Sequence, residues 1–301
     1  MKKTEPVRIM SFRKDRQQQY IGFIFILPWL FGFLAFKAFP LFMSLYLSFT
    51  QYNIISPPIF IGLENFQQIV KDPIFLQSAK ASLLYVIMTV PTRMLFALFI
   101  AYILSSKVKG IGFFRSLYYV PSLMGGSVAV AILWAYMFMQ GGLINSFLEF
   151  LRLPALPWLS SPMLAMFVIS VLHVWQFGST MVIFLAALKG VPSTLIEAAV
   201  VDGASRSRTF WSIIIPYITP VVFFNLMMNL ISAFQEFNSA FVITAGGPFR
   251  GTYLMSLMIY NNGFTYLKMG YSSALSWILF ITIAACTAVL FTTSKWVSYQ
   301  D

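Results

Sequence analysis

Acidic residues are scarce in this chain, with 9 Asp and Glu against 20 Lys and Arg in 301 residues, and it has one histidine and one cysteine. Charge of both signs makes up 10% of the composition, where an ordinary soluble domain carries roughly 25%. One cysteine excludes a disulfide framework and any thiolate metal site. Cys286, in the run ITIAACTAVLF, reads as a small buried hydrophobe. The sequence offers no paired carboxylates, Cys/His pair or metal cluster of the kind a membrane enzyme would need. It has no G-x-x-x-x-G-K-[ST] loop to cradle ATP. A relay of intramembrane acids is missing as well, since Glu236 is the one acid near a span interior and His173 the one histidine. Ion-coupled pumps need several such groups, so uphill transport by this chain would draw its energy from a partner.

What the chain does have is apolar residues, 59% of the total. A membrane-crossing helix needs about 20 of them in sequence. Six stretches qualify: Tyr20 to Thr50, Ala81 to Ser106, Arg115 to about Met139, about Pro162 to Leu188, about Ser212 to Gln235, and about Tyr271 to Ser294. The expected fold is therefore all-α, a polytopic membrane protein with six transmembrane helices in one membrane domain over 20–294. A basic segment, 1–19, precedes it and a short tail, 295–301, comes after it. The N-terminal run is too long for a cleavable signal peptide and lacks a small-residue cleavage site.

The net charge of +11 reads as a topology signal and not as a nucleic-acid footprint. With six spans, thirteen basic residues fall on the side of the termini, five on the other, and Lys37 and Arg93 within spans. Lys and Arg accumulate in cytoplasmic loops, so both termini are expected in the cytoplasm.

The connection between the fourth and fifth spans is unusual. In LKGVPSTLIEAAVVDGASRSRTFWSIIIPYITP, Pro192 and Ser193 start a helix, Leu195, Ala198 and Ala199 recur at helical spacing, and Asp202-Gly203 breaks it. A second helix runs on to near Pro216. Such a hairpin, 189–211, either lies on the lipid surface or docks a cytoplasmic partner.

That stretch resembles the E-A-A-x-x-D-G-A loop, followed by F-x-x-I-x-L-P, of ATP-binding-cassette (ABC) importer permeases. Glu197, Ala198, Ala199, Asp202, Gly203, Ala204, Phe210, Ile213 and Pro216 match, with Ile215 where the family usually has Leu. FIGLENFQQIVKDPIF, ITAGGPFRGTYLMSLMIYNNGF and MGYSSALSWILFI are similar to segments of the carbohydrate branch, although Asn262-Gly263 departs from its usual acidic-Ala pair. The resemblance implies a type I importer permease fold, working beside a second homologous permease subunit. It also implies two cytoplasmic ATPase subunits, which bind the ATP and Mg, and an extracytoplasmic solute-binding protein; this chain itself holds no cofactor. A carbohydrate solute, an oligosaccharide above all, is implied, in the cytoplasmic membrane of a prokaryote. Glu197 would contact the ATPase, Gly203 would set the hairpin angle, and Ala198 and Ala199 would allow close packing, whether in an ATPase groove or against the permease's own helices.

The segment Phe234, Gln235, Glu236, Phe237 and Asn238 aligns with a family segment at the external end of the pathway. Its amides and carboxylate suit sugar hydroxyls and its rings suit a sugar face, while the same residue types also suit a membrane interface. Arg93, in mid-span beside Pro91, implies a buried pair or a cavity role; in a cavity it would suit a phosphate ester or acidic sugar. Lys37 suits snorkelling to the interface, and His173 beside Trp175 and Gln176 a packed polar role. A glycerophosphate permease and an ATP-independent secondary transporter are the competing readings.

The charge bias makes a direct prediction. Green fluorescent protein fused after residue 301 should fluoresce, and alkaline phosphatase fused there should be inactive. An active phosphatase fusion would reverse the topology.

Overall fold

The computed structural model describes residues 16–106, 110–294 and 297, with the backbone alone described over 16–24. Lys107, Lys109, most of the basic N-terminal segment and most of the tail lie outside the described residues. In chain order the elements are α1 (Arg16–Phe33), α2 (Phe39–Ser48), β1 (Thr50–Gln51), β2 (Ile59–Phe60), α3 (Glu64–Lys71), α4 (Pro73–Ser105), α5 (Ile111–Leu123), α6 (Val128–Phe138) and α7 (Leu143–Phe150). Next come α8 (Pro162–Trp175), α9 (Gly178–Gly190), α10 (Ser193–Val201), α11 (Arg206–Thr209), α12 (Ile215–Tyr217), α13 (Thr219–Phe234), α14 (Met255–Tyr260) and α15 (Met269–Thr292). The two short strands pair antiparallel, Thr50 opposite Phe60.

Among the described residues four continuous stretches are long and apolar enough to cross a membrane: Phe25–Ser48, Pro73–Ser105, Val128–Phe150 and Met269–Thr292. Two bent pairs add to them, α8 with α9 at 45°, and Arg206–Tyr217 with α13 at 68°. The sequence expectation of six spans thus appears as four to six candidates. The expected third span, 115–139, is two helices, α5 and α6, because Gly126 adopts φ +73° and turns the chain between them.

Proline explains two local departures from the α-helix. A proline ring collides with the carbonyl four residues back and offers no amide hydrogen. Ahead of Pro40 the helix widens into a π turn at Leu34–Ala38, and ahead of Pro216 it does so at Phe210–Ile214. Pro91, by contrast, is carried within α4 without a break.

Helix α4 is the hub. It spans 33 residues, about 50 Å at 1.5 Å per residue, and packs against α8, α9, α13 and α14. Asp72 caps its first turn, accepting from the Ile74 amide at 2.8 Å. Its buried face runs Ser78, Ala81, Ser82, Tyr85, Val86, Thr89, Val90, Ala97, Ile100, Ala101, Leu104, a three-and-four spacing rich in small residues. Lipid tails are as apolar as leucine, so helices in a membrane associate by close van der Waals contact, which small side chains permit. One core gathers around Tyr85, Met166, Ile169 and Leu275, and a second around Ala101, Phe177, Met181 and Phe184. Cys286 packs, partly buried, against the first. The stretch Phe25–Ser48 buries none of its apolar length and meets the bundle through α2 against α15. Lys37 lies on it exposed.

Two glycines mark where the backbones touch. A Cβ on Gly270 would lie 2.0 Å from the Thr50 carbonyl oxygen, and one on Gly178 would lie 2.6 Å from the Tyr118 carbonyl oxygen and 2.9 Å from Tyr119 Cα. Gly178→Ala therefore forces α5 and α9 apart and should cost about 1–3 kcal/mol. Gly112→Ala, with nothing within 4 Å, should cost nothing. Thermal unfolding of the detergent-solubilised protein checks the pair, and equal melting temperatures would contradict the close crossing.

Candidate functional site

The bent span made by α8 and α9 leaves a problem for the backbone. At a helix break within hydrocarbon, carbonyls lose their intrahelical donors and no water replaces them. The Gln176 carbonyl is one such group. Arg93 from α4 donates to it through Nη2 at 2.7 Å, and Ser122 Oγ from α5 donates at 3.1 Å. Ser122 Oγ in turn accepts from the Ser179 amide at 3.0 Å. The break between α5 and α6 is satisfied the same way, with Asn238 Nδ2 donating to the Gly126 carbonyl at 3.0 Å.

Arg93 does a second thing. Its Nη1 lies 2.6 Å from His173 Nε2. A guanidinium can only donate, so Nε2 must present its lone pair. The imidazole hydrogen then sits on Nδ1, which faces Glu236 Oε2 at 3.4 Å. A neutral ring thereby links a guanidinium to a carboxylate. Glu236 Oε1 accepts from the Ser239 amide at 2.9 Å and from Ser239 Oγ at 2.8 Å, and the Glu236 carbonyl accepts from Ser256 Oγ. The Tyr85 ring meets the His173 ring edge-on at 6.0 Å. His173 and Glu236 side chains are only 8% and 17% exposed. Three elements, α4, α8 and the end of α13, are joined by one charge-compensated chain.

Against this chain lies a cavity of about 20 Å³, room for one water, lined by Gly126, Ser127, His173, Gln176, Glu236 and Asn238 among others. On its other side Gln235, Glu236, Phe237 and Asn238 open onto a groove of about 360 Å³ with Met228, Ile231 and Ser232. Of the segment singled out in the sequence, these four share that groove, while Phe234 is buried in the core. Phe237 stacks on Phe241 at 5.1 Å, Tyr260 contacts both rings, and Phe264 extends the cluster. Arg93 lines neither space, being held by His173 and Gln176. In sequence His173 suggests only a packing role, and Tyr85 and Ser239 carry no signal, because each acts through a neighbour distant in the chain. Among the described residues no cluster of His, Cys, Asp and Glu could hold a metal ion.

The second candidate surface is the hairpin after α9. Helix α10 ends with Gly203 at φ +76°, and the Ala204 amide donates to the Ala199 carbonyl at 2.9 Å, closing a left-handed glycine cap. Ser205 caps α11, accepting from the Arg208 amide at 3.3 Å. Ala199 is buried and Ala204 half-buried, whereas Glu197, Ala198, Asp202 and Gly203 are exposed. Leu195, Val200, Val201 and Trp211 are exposed beside them. An apolar surface of this kind suits a lipid surface or a docked partner.

The polar chain generates a prediction. Arg93→Met leaves the buried Glu236 charge without its compensating cation and the Gln176 carbonyl with Ser122 Oγ as its remaining donor, and Glu236→Gln leaves the guanidinium uncompensated; each should cost about 3–5 kcal/mol. The double variant should cost clearly less than the sum. Strict additivity in thermal unfolding would show that the two charges are not coupled.

The chain matches other proteins over most of its length. A family described as "Binding-protein-dependent transport system inner membrane component" matches residues 74–299. A relative in Bacillus subtilis, the probable ABC transporter permease protein YesP, is 45% identical over 294 residues, which is 96% of this chain and 95% of that one. The sn-glycerol-3-phosphate transport system permease protein UgpA of Agrobacterium fabrum is 34% identical over 77% of this chain and 80% of its own. Among solved structures, a bacterial ABC transporter involved in the import of the acidic polysaccharide alginate superposes with a TM-score of 0.81 at 19% identity, covering 95% of this chain and 99% of that one.

Proposed function

Because the chain belongs to the family of binding-protein-dependent transport system inner membrane components, we propose that it forms half of the pathway of a carbohydrate importer and is driven through the hairpin 189–211. It is an ABC transporter permease, a transport component of a multi-pass membrane assembly. The remaining half comes from a second permease, the energy from two ATPases that bind ATP and Mg, and the solute from an external binding protein. Each bent helix pair counts as one span, giving six, with both termini in the cytoplasm. The hairpin carries this reading: a rigidly capped helix with an exposed apolar face and one carboxylate, Glu197, rooted in the bent fifth span. Force on it would rock α13 against α4 and exchange outward for inward access, as in a two-state equilibrium biased by a ligand.

The groove supports a carbohydrate. Gln235 and Asn238 offer amides to hydroxyls, and the Phe237, Phe241, Tyr260, Phe264 cluster offers flat faces beside them. A glycerophosphate or acidic sugar would need a free cation there. The nearby cation, Arg93, is already committed to His173 and Gln176, which favours a neutral oligosaccharide.

Affinity purification of the tagged chain in mild detergent should bring down an ATPase and a second permease, and Glu197→Lys should lower ATPase recovery at least several-fold while membrane insertion stays normal. ATP-dependent uptake of labelled oligosaccharides should fall in parallel. Recovery of the chain alone in every detergent would return an autonomous transporter to consideration.

A further inference from the structure

The end of the bundle that carries the hairpin also carries a cavity used by neither the hairpin cap nor the polar chain. Its volume is about 550 Å³. Tyr102, Ser105 and Ser106 from the end of α4, Arg115 from α5 and Lys189 from α9 supply its polar atoms, and among the described residues no acidic side chain lines it. Arg115 Nη2 donates to the Leu104 carbonyl at 2.7 Å, closing the last turn of α4. Its Nε is buried and finds no hydrogen-bond partner among the described residues. The one ion pair among the described residues is His173 with Glu236, so neither Arg115 nor Lys189 meets a carboxylate there. Capping α4 accounts for one nitrogen of Arg115; it does not account for the buried Nε or for a second cation facing the same space.

We propose that this cavity binds the headgroup phosphate of an anionic phospholipid. Basic pockets between membrane helices on the cytoplasmic side suit such headgroups. Phosphate oxygens would accept from Arg115 and Lys189, the Ser105 and Ser106 hydroxyls being already donated to the Tyr102 and Ile103 carbonyls at 2.6 and 2.7 Å. A free phosphate satisfies the same donors, but the surroundings select the lipid. Ile111, Leu188, Ile196 and Ile214 line the rest of the cavity. Elsewhere on the same two helices Phe99, Ile103, Phe113 and Leu117 are exposed. Ile196 belongs to α10 and Ile214 precedes α12, so an occupied site ties the docking hairpin to the bilayer. That consequence for ATPase coupling rests on the proposed function; lipid binding itself does not.

The test counts retained lipids by native mass spectrometry on the complex purified with its co-purifying subunits. After delipidation it is offered phosphatidylglycerol, phosphatidylcholine or inorganic phosphate. Phosphatidylglycerol should be retained in preference to phosphatidylcholine. Arg115→Gln should weaken it roughly fivefold, and Arg115→Gln with Lys189→Gln about twentyfold. Arg115→Lys with Lys189→Arg keeps both charges and should keep the lipid, which separates a lost site from a misfolded bundle. Equal retention of the two lipids, or unchanged retention by the double Gln variant, would overturn the proposal. Displacement of phosphatidylglycerol by low-millimolar phosphate would overturn the lipid as the source. Lipid counts need no transport assay, so failure of the importer reading would leave this result standing on its own.

Discussion

Hydrocarbon offers no hydrogen bonds, and every break in a buried helix must therefore be closed by a side chain from somewhere else. That constraint organises this molecule. The span α8–α9 bends at Gln176, and Arg93 and Ser122 close the exposed carbonyl. The turn between α5 and α6 exposes the Gly126 carbonyl, and Asn238 closes it. Once a guanidinium is spent in this way, its charge must be balanced, and His173 passes it on to Glu236. The bends, the buried charges and the contacts between α4, α8 and the end of α13 are one solution to one problem.

The same network places the groove. Glu236 is anchored through Oε1 to Ser239 and through its carbonyl to Ser256, so the chain from Gln235 to Asn238 is held from both ends. Gln235, Phe237 and Asn238 then face open space while Phe234 turns into the core. The Glu236 carboxylate is tied to His173 of α8 and its carbonyl to Ser256 of α14, so this wall of the groove is packed as one body with two other helices. At the opposite end of α13, Pro216 and the break at Ile218 separate the hairpin from the span by a 68° bend.

Much of this is legible in the residues. Apolar run length marks the spans, and Pro192-Ser193 and Asp202-Gly203 mark the hairpin with its left-handed cap. Arg93 is visible as a charge out of place, because a cation in mid-span is costly wherever it points. The third span counts as one run in the sequence and is two helices, because Gly126 turns the chain at φ +73° between α5 and α6. Run length also understates α4: its first two turns are amphipathic and acquire their helical reason from the Asp72 cap.

Composition, run length and one loop motif are local or additive properties, and the sequence by itself determined their consequences: a membrane bundle of apolar helices and the hairpin with its glycine cap. Pairing is neither local nor additive. Nothing in the order of residues tells that Arg93 meets a histidine 80 positions away, that His173 carries its hydrogen on Nδ1, or that Asn238 serves Gly126. Those partnerships exist because helices remote in sequence cross at close range, and only the tertiary structure decides which groups stand within about 3 Å of one another where water is absent.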